Sequence, residues 1–242
     1  MELPKTDDLK WTMNGEQAYC IQVMFIGKTG YGKSTTLNRI CGGMYFDTDD
    51  IQSCTKKLYS CEYKLSNNRN DYFSLCDLPG IGESSEADKY YKTWYEQMLE
   101  KSACVVYVLR ADQRDFALDE MVINSLLRKR DKVMNKLIVG LNYADKMEPL
   151  NRTGKYPFKL TNEQRMNLER KAMSVSQSLN VSKEQVLYYS ASEGYNFEML
   201  LNAISSVVKA NIWMKENPSS LHGISLISPW IFDRLISSKY TD

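Results

Sequence analysis

Residues 20–41 read CIQVMFIGKTGYGKSTTLNRIC, and this stretch decides the fold. Cys20 to Ile26 is a short apolar run bounded by a glycine turn, the pattern of a buried strand. Gly27, Gly30 and Gly32 make the turn, and a helix is expected from about Ser34 to Cys41. The spacing is Gly27, four residues, then Gly32-Lys33-Ser34. A strand before it and a helix after it are the context that gives this spacing meaning. Glycines let backbone N–H groups converge on one concavity, and the helix N-terminus adds the positive end of its dipole. Such a concavity cradles polyphosphate. Lys33 would neutralise the β and γ phosphates, and Ser34 would place its hydroxyl on Mg²⁺. The candidate contacts are Gly27, Lys28, Thr29, Gly30, Tyr31 and Gly32, followed by Lys33, Ser34 and Thr35. The pattern calls for a nucleoside triphosphate without saying which base.

Next outward is DLPG at 77–80, directly after the strand-like run Tyr72–Cys76. An aspartate at a strand end can hold Mg²⁺ through a water, which makes Asp77 a metal candidate. Gly80 can present its N–H to the γ-phosphate, so the loop that follows would sense that phosphate. Between the two motifs lies QSCTKK, in which Thr55 stands 21 residues after Ser34 and 22 before Asp77. That separation leaves room for one loop and one hairpin. The Thr55 hydroxyl would complete the Mg²⁺ shell while its carbonyl orients water; Thr48 and Ser53 compete for the role. Lys33, Thr55 and Gly80 are the catalytic candidates, and Ser34, Thr55 and Asp77 the metal candidates.

The base is read from NYAD at 142–145, at the end of the expected strand Lys136–Leu141. The Asp145 carboxylate can accept two hydrogen bonds, from guanine N1–H and its 2-amino group. Adenine has no amino group there, so a buried Asp145 would be left unpaired and reject it. Asn142 would tie the base edge to the phosphate loop, with Tyr143 and Lys146 alongside. In the sequence SAS at 190–192, Ser190 follows the last expected strand and the Ala191 N–H could meet guanine O6.

Around these motifs, strand-like runs alternate with helical patterns, so the class is α/β with a mostly parallel sheet. Lys56–Leu65 and Tyr72–Leu75 bracket the turn sequence SNNRND and are expected to form an antiparallel hairpin. Ala103–Leu109 is apolar throughout, as in a central strand covered on both faces. Residues 86–100, 115–134, 161–178 and 196–212 are expected helices, the third opened by a capping box from Thr161 to Gln164. Val186–Tyr189 is the last expected strand. The division is a leader at 1–18, a nucleotide-binding domain at 19–212 and a C-terminal extension at 213–242.

The chain has 242 residues, 43% of them hydrophobic, with 31 Lys+Arg against 30 Asp+Glu. It can bury a core, and its charge balance supplies no global field for nucleic acid or acidic membranes. The apolar run Ala103–Leu109 is too short to span a bilayer. No apolar h-region follows the charged start, and neither myristoylation nor prenylation is signalled, so a cytoplasmic location is expected. The six cysteines form no CxxC pair and are expected to be reduced, mostly buried thiols. With one histidine, His222, a multi-histidine metal centre is excluded.

These pieces follow the order found in guanine-nucleotide switch domains. Over roughly residues 19–212 the sequence resembles the Era-like branch of translation-factor-type GTPases, the TrmE–Era–septin group. RADQRDFALDE at 110–120 and NYADKMEP look like the corresponding stretches of predicted Era-like GTPases associated with bacterial prophages. GKTGYGKSTTLN is also similar to the immunity-associated and chloroplast-import GTPases, which work as nucleotide-dependent dimers. The resemblance implies a P-loop G domain built on a six-stranded, mostly parallel sheet flanked by helices, with nucleotide at the strand C-termini. It implies GTP or GDP with Mg²⁺ as ligands, GTP hydrolysis as the activity, and a homodimer or protein effector as partner. An RNA or ribosome partner would rest on family analogy alone.

Three positions depart from the family pattern. Tyr143 stands where lysine is usual, and its ring could cover the base by stacking. Ile81 stands where Ras-like enzymes carry a water-orienting glutamine, so catalysis would fall to Thr55, to loop residues such as Glu83, or to a group supplied in trans. Gly30 stands where potassium-dependent members carry asparagine, which argues against potassium activation.

Other features keep two readings each. Arg110 and Arg114 could be supplied to a second subunit, or pair with Asp112, Asp115 or Asp119. The cluster Arg128, Lys129, Arg130 and Lys132 is a solvated helix end or an RNA contact. Trp94, Tyr95 and Met98 are core or partner-binding. The tail ISLISPWIFDRLI packs on the domain, docks a partner or touches a membrane surface. The functional expectation is a slow GTP-hydrolysing switch, with a nucleotide-locked assembly module as the alternative.

Overall fold

The computed structural model describes residues 12–13, 16–17, 19–46, 59–64, 71–78, 95–96, 98–99, 102–129, 131–150 and 158–215. Two short strands, β1 (Thr12–Met13) and β2 (Glu16–Gln17), pair antiparallel within the expected leader. The main sheet contains β3 (Tyr19–Ile26), β4 (Tyr59–Lys64), β5 (Asp71–Asp77), β6 (Cys104–Arg110), β7 (Leu137–Asn142) and β8 (Val186–Tyr188). Its order is β4-β5-β3-β6-β7-β8. Five strands run parallel, and β4 joins the edge antiparallel to β5, with Tyr63 opposite Phe73 and Cys61 opposite Leu75. The α/β class and the six-stranded, mostly parallel sheet are as expected.

The central strands are nearly continuous apolar runs because both of their faces are covered. Val23, Met24, Phe25 and Ile26 of β3 and Cys104 to Leu109 of β6 are all fully buried. The parallel register brings the C-terminal ends of β3, β5, β6 and β7 to one edge of the sheet. Phe25 lies opposite Asp77, Ile26 opposite Tyr107, and Arg110 opposite Asn142. That edge is where ligands bind in doubly wound sheets.

Among the described residues the helices include α1 (Lys33–Cys41), α2 (Ala117–Val122), α3 (Asp131–Met134), α4 (Asn162–Leu179) and α5 (Phe197–Lys215). α4 opens with the expected capping box. Gln164 N donates to Thr161 Oγ1 at 3.1 Å, and Thr161 N donates to Gln164 Oε1 at 3.0 Å. Tyr95 and Met98 are buried in the core cluster, and Trp94 lies outside the described residues. α5 continues to Lys215; the rest of the extension, including the apolar tail, lies outside the described residues.

The expected single helix at 115–134 is broken. α2 passes at Ile123–Leu127 into a π turn, closed by Arg128 N donating to Ile123 O at 2.8 Å, and α3 follows separately. Val122, Ile123, Leu126 and Leu127 are two adjacent apolar pairs, and all four are buried. At i, i+1, i+4 and i+5 the four lie on one side of the element, turned toward the core.

Candidate nucleotide-binding site

The loop from β3 to α1 takes the conformation its glycines permit. Gly27, Gly30 and Gly32 have φ of 144°, 79° and 81°. A Cβ on Gly27 would lie 2.4 Å from the Val108 carbonyl oxygen, and one on Gly32 would lie 2.4 Å from Asn142 Nδ2. At Gly30 the same atom would meet nothing within 4 Å, so the loop opens there to space. α1 starts from Gly32 with no side-chain cap and no acidic residue in its first turn. Its first N–H groups are therefore directed toward a site suited to an anion. Lys33, 6% exposed, donates Nζ hydrogen bonds to the carbonyls of Gly27 and Lys28, both at 3.1 Å. Its ammonium is thus gathered into the loop. Thr29 is exposed at the loop's tip, and Thr35 is half-buried on α1.

Beside the loop, the Ser34 hydroxyl donates to Asp77 Oδ2 at 2.6 Å, and Asp77 is 1% exposed. A hydroxyl and a carboxylate are hard oxygen donors of the kind Mg²⁺ accepts, and this pair abuts the phosphate loop, so the residues present fit the ion. Thr55 and Gly80, the other expected members, lie outside the described residues, as do Thr48, Ser53, Ile81 and Glu83.

The loops assigned to the base meet the glycine loop directly. Asn142 is 2% exposed; its Nδ2 donates to Tyr31 O at 3.1 Å and its Oδ1 accepts from Ala191 N at 3.0 Å. One amide therefore joins three loops, as the sequence anticipates for the phosphate side. The Ala191 N–H, expected to meet guanine O6, is here directed to Asn142. Asp145 Oδ1 accepts from Ser190 Oγ at 2.6 Å, and Oδ2 lies 3.5 Å from Lys146 Nζ. Ser190 thus orients the carboxylate, a role the sequence did not assign.

Tyr143 adopts the left-handed conformation, φ 61°, with its hydroxyl near Gly32. The Arg110 guanidinium lies 4.4 Å over its ring and forms paired hydrogen bonds to Asp112 at 2.9 and 2.8 Å. Those bonds hold the Asp112 carboxyl below its ordinary pKa against the opposing effect of burial. Of the two readings of Arg110, the structure has the intrachain pair; Arg114 is exposed. Arg128 hydrogen-bonds to Leu179 O, while Lys129 and Lys132 are exposed and Arg130 lies outside the described residues.

The Lys28 and Tyr31 side chains both turn to Asp119 of α2, at 3.1 and 3.3 Å. Their contribution to phosphate binding would come through backbone N–H groups. Sequence reasoning offered Asp119 only as a partner for Arg110 or Arg114 and missed its contacts with Lys28 and Tyr31, although Phe116, Asp119 and Ile123 are spaced three and four apart and so share a helix face. It also missed Arg39, whose Nη1 donates to Ala191 O at 2.9 Å and Ser192 O at 3.1 Å. Tyr189 was missed as well; fully buried, its hydroxyl lies 3.0 Å from Thr36 Oγ1 on α1.

Comparison with known proteins fits this geometry. The uncharacterised protein YkfA of Escherichia coli K12 is 29% identical over 146 residues, 60% of this chain and 48% of YkfA. The chain thus spans about half the length of the curated relatives it first matches. In fold it is similar to Aquifex aeolicus Era bound to GDP·AlF4⁻, with a TM-score of 0.59 and 19% identity over 79% of this chain and 56% of Era. It is also similar to the chloroplast translocon components atToc33 and psToc159, for which dimerisation is important for GTPase activity. There the TM-score is 0.60 at 16% identity, covering 83% of this chain and 86% of the other. The sequence profile of the 50S ribosome-binding GTPases matches residues 22–142. That match runs from within β3 to the last residue of β7 and takes in the phosphate loop and Asn142, and by it the chain belongs to the 50S ribosome-binding GTPase family, in the Era-like branch.

Proposed function

We propose that the protein is a Mg²⁺-dependent GTP switch that hydrolyses GTP slowly alone and faster when a second subunit or a partner joins it. The observation that carries this reading is the Asn142 side chain, which fastens the loop for the base to the loop for the phosphates. Asp145, oriented by Ser190, would read the guanine edge. Lys33 and the N–H groups at the start of α1 would hold the β and γ phosphates. Mg²⁺, held by Ser34 and by Asp77 through water, would neutralise charge on those phosphates. Water would attack the γ-phosphate in line, with Thr55 and Gly80 as the residues assigned to orient it.

With Ile81 unable to hydrogen-bond the water, the unaided rate is expected at or below the Ras-like scale of about 10⁻⁴ s⁻¹. The two chloroplast relatives, in which dimerisation matters for activity, motivate the dimer. Arg114, exposed beyond β6, is the arginine we assign to the approach of a second subunit. We place the protein in the cytoplasm; Cys41, Cys76 and Cys104 are buried thiols, and no helix among the described residues is long and apolar enough to cross a membrane.

The test is titration with GTP, GDP and ATP in Mg²⁺ for wild type and Asp145→Ala, following phosphate release across protein concentrations. Wild type should prefer guanine, and the variant should lose that preference by about 100-fold or more. A turnover per subunit that rises with concentration supports the dimer-activated switch. Tight guanine binding with no turnover at any concentration favours a nucleotide-locked assembly module, and equal affinity for ATP overturns the guanine reading.

A further inference from the structure

Asp119 is fully buried in α2, yet neither phosphate binding nor base reading uses it. Its Oδ1 accepts from the Tyr107 hydroxyl at 2.9 Å, in the middle of β6. Its Oδ2 accepts from the Tyr31 hydroxyl at 3.3 Å and lies 3.1 Å from Lys28 Nζ. Lys28 Nζ also sits 5.6 Å from the centre of the Tyr31 ring. A carboxylate is unfavourable in an apolar core unless donors compensate it, and here two hydroxyls and an ammonium do so. A well-packed apolar side chain would fill the same space without that demand, so packing alone does not explain the charge.

The two loop residues gripped by Asp119 share a property. Each offers a backbone carbonyl to a side chain of the nucleotide site. Lys28 O accepts from Lys33 Nζ at 3.1 Å, and Tyr31 O accepts from Asn142 Nδ2 at 3.1 Å. Lys33 is assigned to the phosphates and Asn142 to the base edge. Displacing Lys28 and Tyr31 would move both carbonyls together.

We propose that Asp119 is a positioning residue for nucleotide binding: by holding Lys28 and Tyr31 it fixes the two carbonyls that orient Lys33 and Asn142. Affinity at the phosphate loop then depends on a carboxylate in α2. This rests on the GTP-binding reading above.

The experiment measures GDP affinity and release with a fluorescent GDP, and the melting temperature without nucleotide, for the full chain. The variants are Asp119→Asn, Lys28→Met, the two combined, and Tyr31→Phe. Asp119→Asn keeps the shape and an acceptor but removes the charge; it should weaken GDP about tenfold or more and speed its release. Because Lys28 and Asp119 share one interaction, the double variant should lose less than the product of the single losses. A purely structural role would lower the melting temperature without that coupling in affinity. Where Asp119→Asn fails to fold, Tyr31→Phe carries the test, since it removes one hydroxyl; about threefold weaker GDP supports the anchor. Wild-type binding with Asp119→Asn, or in its place Tyr31→Phe, unchanged within experimental error overturns the anchor alone, as do single losses that simply multiply. A wild type that binds no guanine nucleotide overturns the GTP reading and the anchor with it.

Discussion

Tyr143 holds a left-handed backbone conformation that side chains other than glycine and asparagine rarely adopt, at a cost of about 1–2 kcal/mol. Its ring is set between the Gly32 corner of the phosphate loop and the Arg110 guanidinium, so the stack offsets that cost. Where the family pattern has a lysine, this chain has an aromatic ring with an arginine laid over it. Arg110→Ala should therefore weaken GDP binding by about 3- to 10-fold through loss of the stack. Calorimetric titration checks this, and an unchanged Kd would count against a role for the stack.

Lys28 gives a pH prediction at the same scale. Burial opposes its charge, but hydrogen bonds to Tyr31 and Asp119 outweigh that and raise its pKa above the ordinary 10.5. A raised lysine pKa gives stability that is fully present below the unfolded value and is lost as pH rises through the folded value. Lys28→Met should therefore lower the melting temperature by a constant amount from pH 7 to 9. The gap from wild type should narrow only above about pH 10.5. A gap that closes near neutrality would show that another group titrates there.

Of the residues assigned to the proposed site, Lys33, Ser34, Asp77, Asn142 and Asp145 are legible as candidates because each stands at a fixed offset from the end of a strand. Asp119 was not. The apolar positions of the expected 115–134 helix are Phe116, Leu118, Met121, Val122, Leu126 and Leu127, yet Met121 is 59% exposed while Asp119 is fully buried. A tally of hydrophobic residues passes over an acid on the inward face, since the partners that let it be buried come from the preceding strand β6 and from the phosphate loop, the latter 88 residues away at Tyr31.

Among the elements, the β3–loop–α1 unit is the one most fully encoded locally. Glycine, strand and helix signals agree there, and the observed α1 starts one residue before the expected Ser34. The 115–134 segment is the contrast. Its composition suits one helix, but the chain takes a π turn at Ile123–Leu127 and starts a separate helix at Asp131, a break that a periodicity count does not show. Gly32 tests the tightness of the first unit. At φ 81°, with a Cβ that would lie 2.4 Å from Asn142 Nδ2, Gly32→Ala is strained and displaces the amide that joins the loops. GDP affinity should fall by about 10- to 100-fold. A fall that spares Asn142, seen as an additive Gly32→Ala/Asn142→Ala pair, would place the effect in the backbone alone.

At the scale of the whole molecule, the α/β class follows from the alternation of strands and helices, and the six-stranded, mostly parallel sheet from the resemblance to a known branch of GTPases; the strand order comes from the structure. The contacts that bind the loops into one surface do not follow from either. They depend on side chains such as Arg39 and Tyr189, whose partners lie more than 150 residues away. A ligand that spans these loops should stabilise the fold as a unit. At a GDP concentration 100 times its Kd the gain is about 2.7 kcal/mol, read as a rise in melting temperature of several degrees. ATP at the same concentration should give a smaller rise, and an equal rise would speak against selective binding.

α1 also acts as a calliper. Its nine residues form a rod roughly 13 Å long. One end carries Lys33 and Ser34, and near the other Arg39 grips the Ala191 and Ser192 carbonyls of the base loop. Both jaws are mounted on one stiff bar, so the gap between them cannot be adjusted at one end alone. A guanosine analogue whose base and phosphates are joined by a longer or shorter linker would seat in one jaw and miss the other.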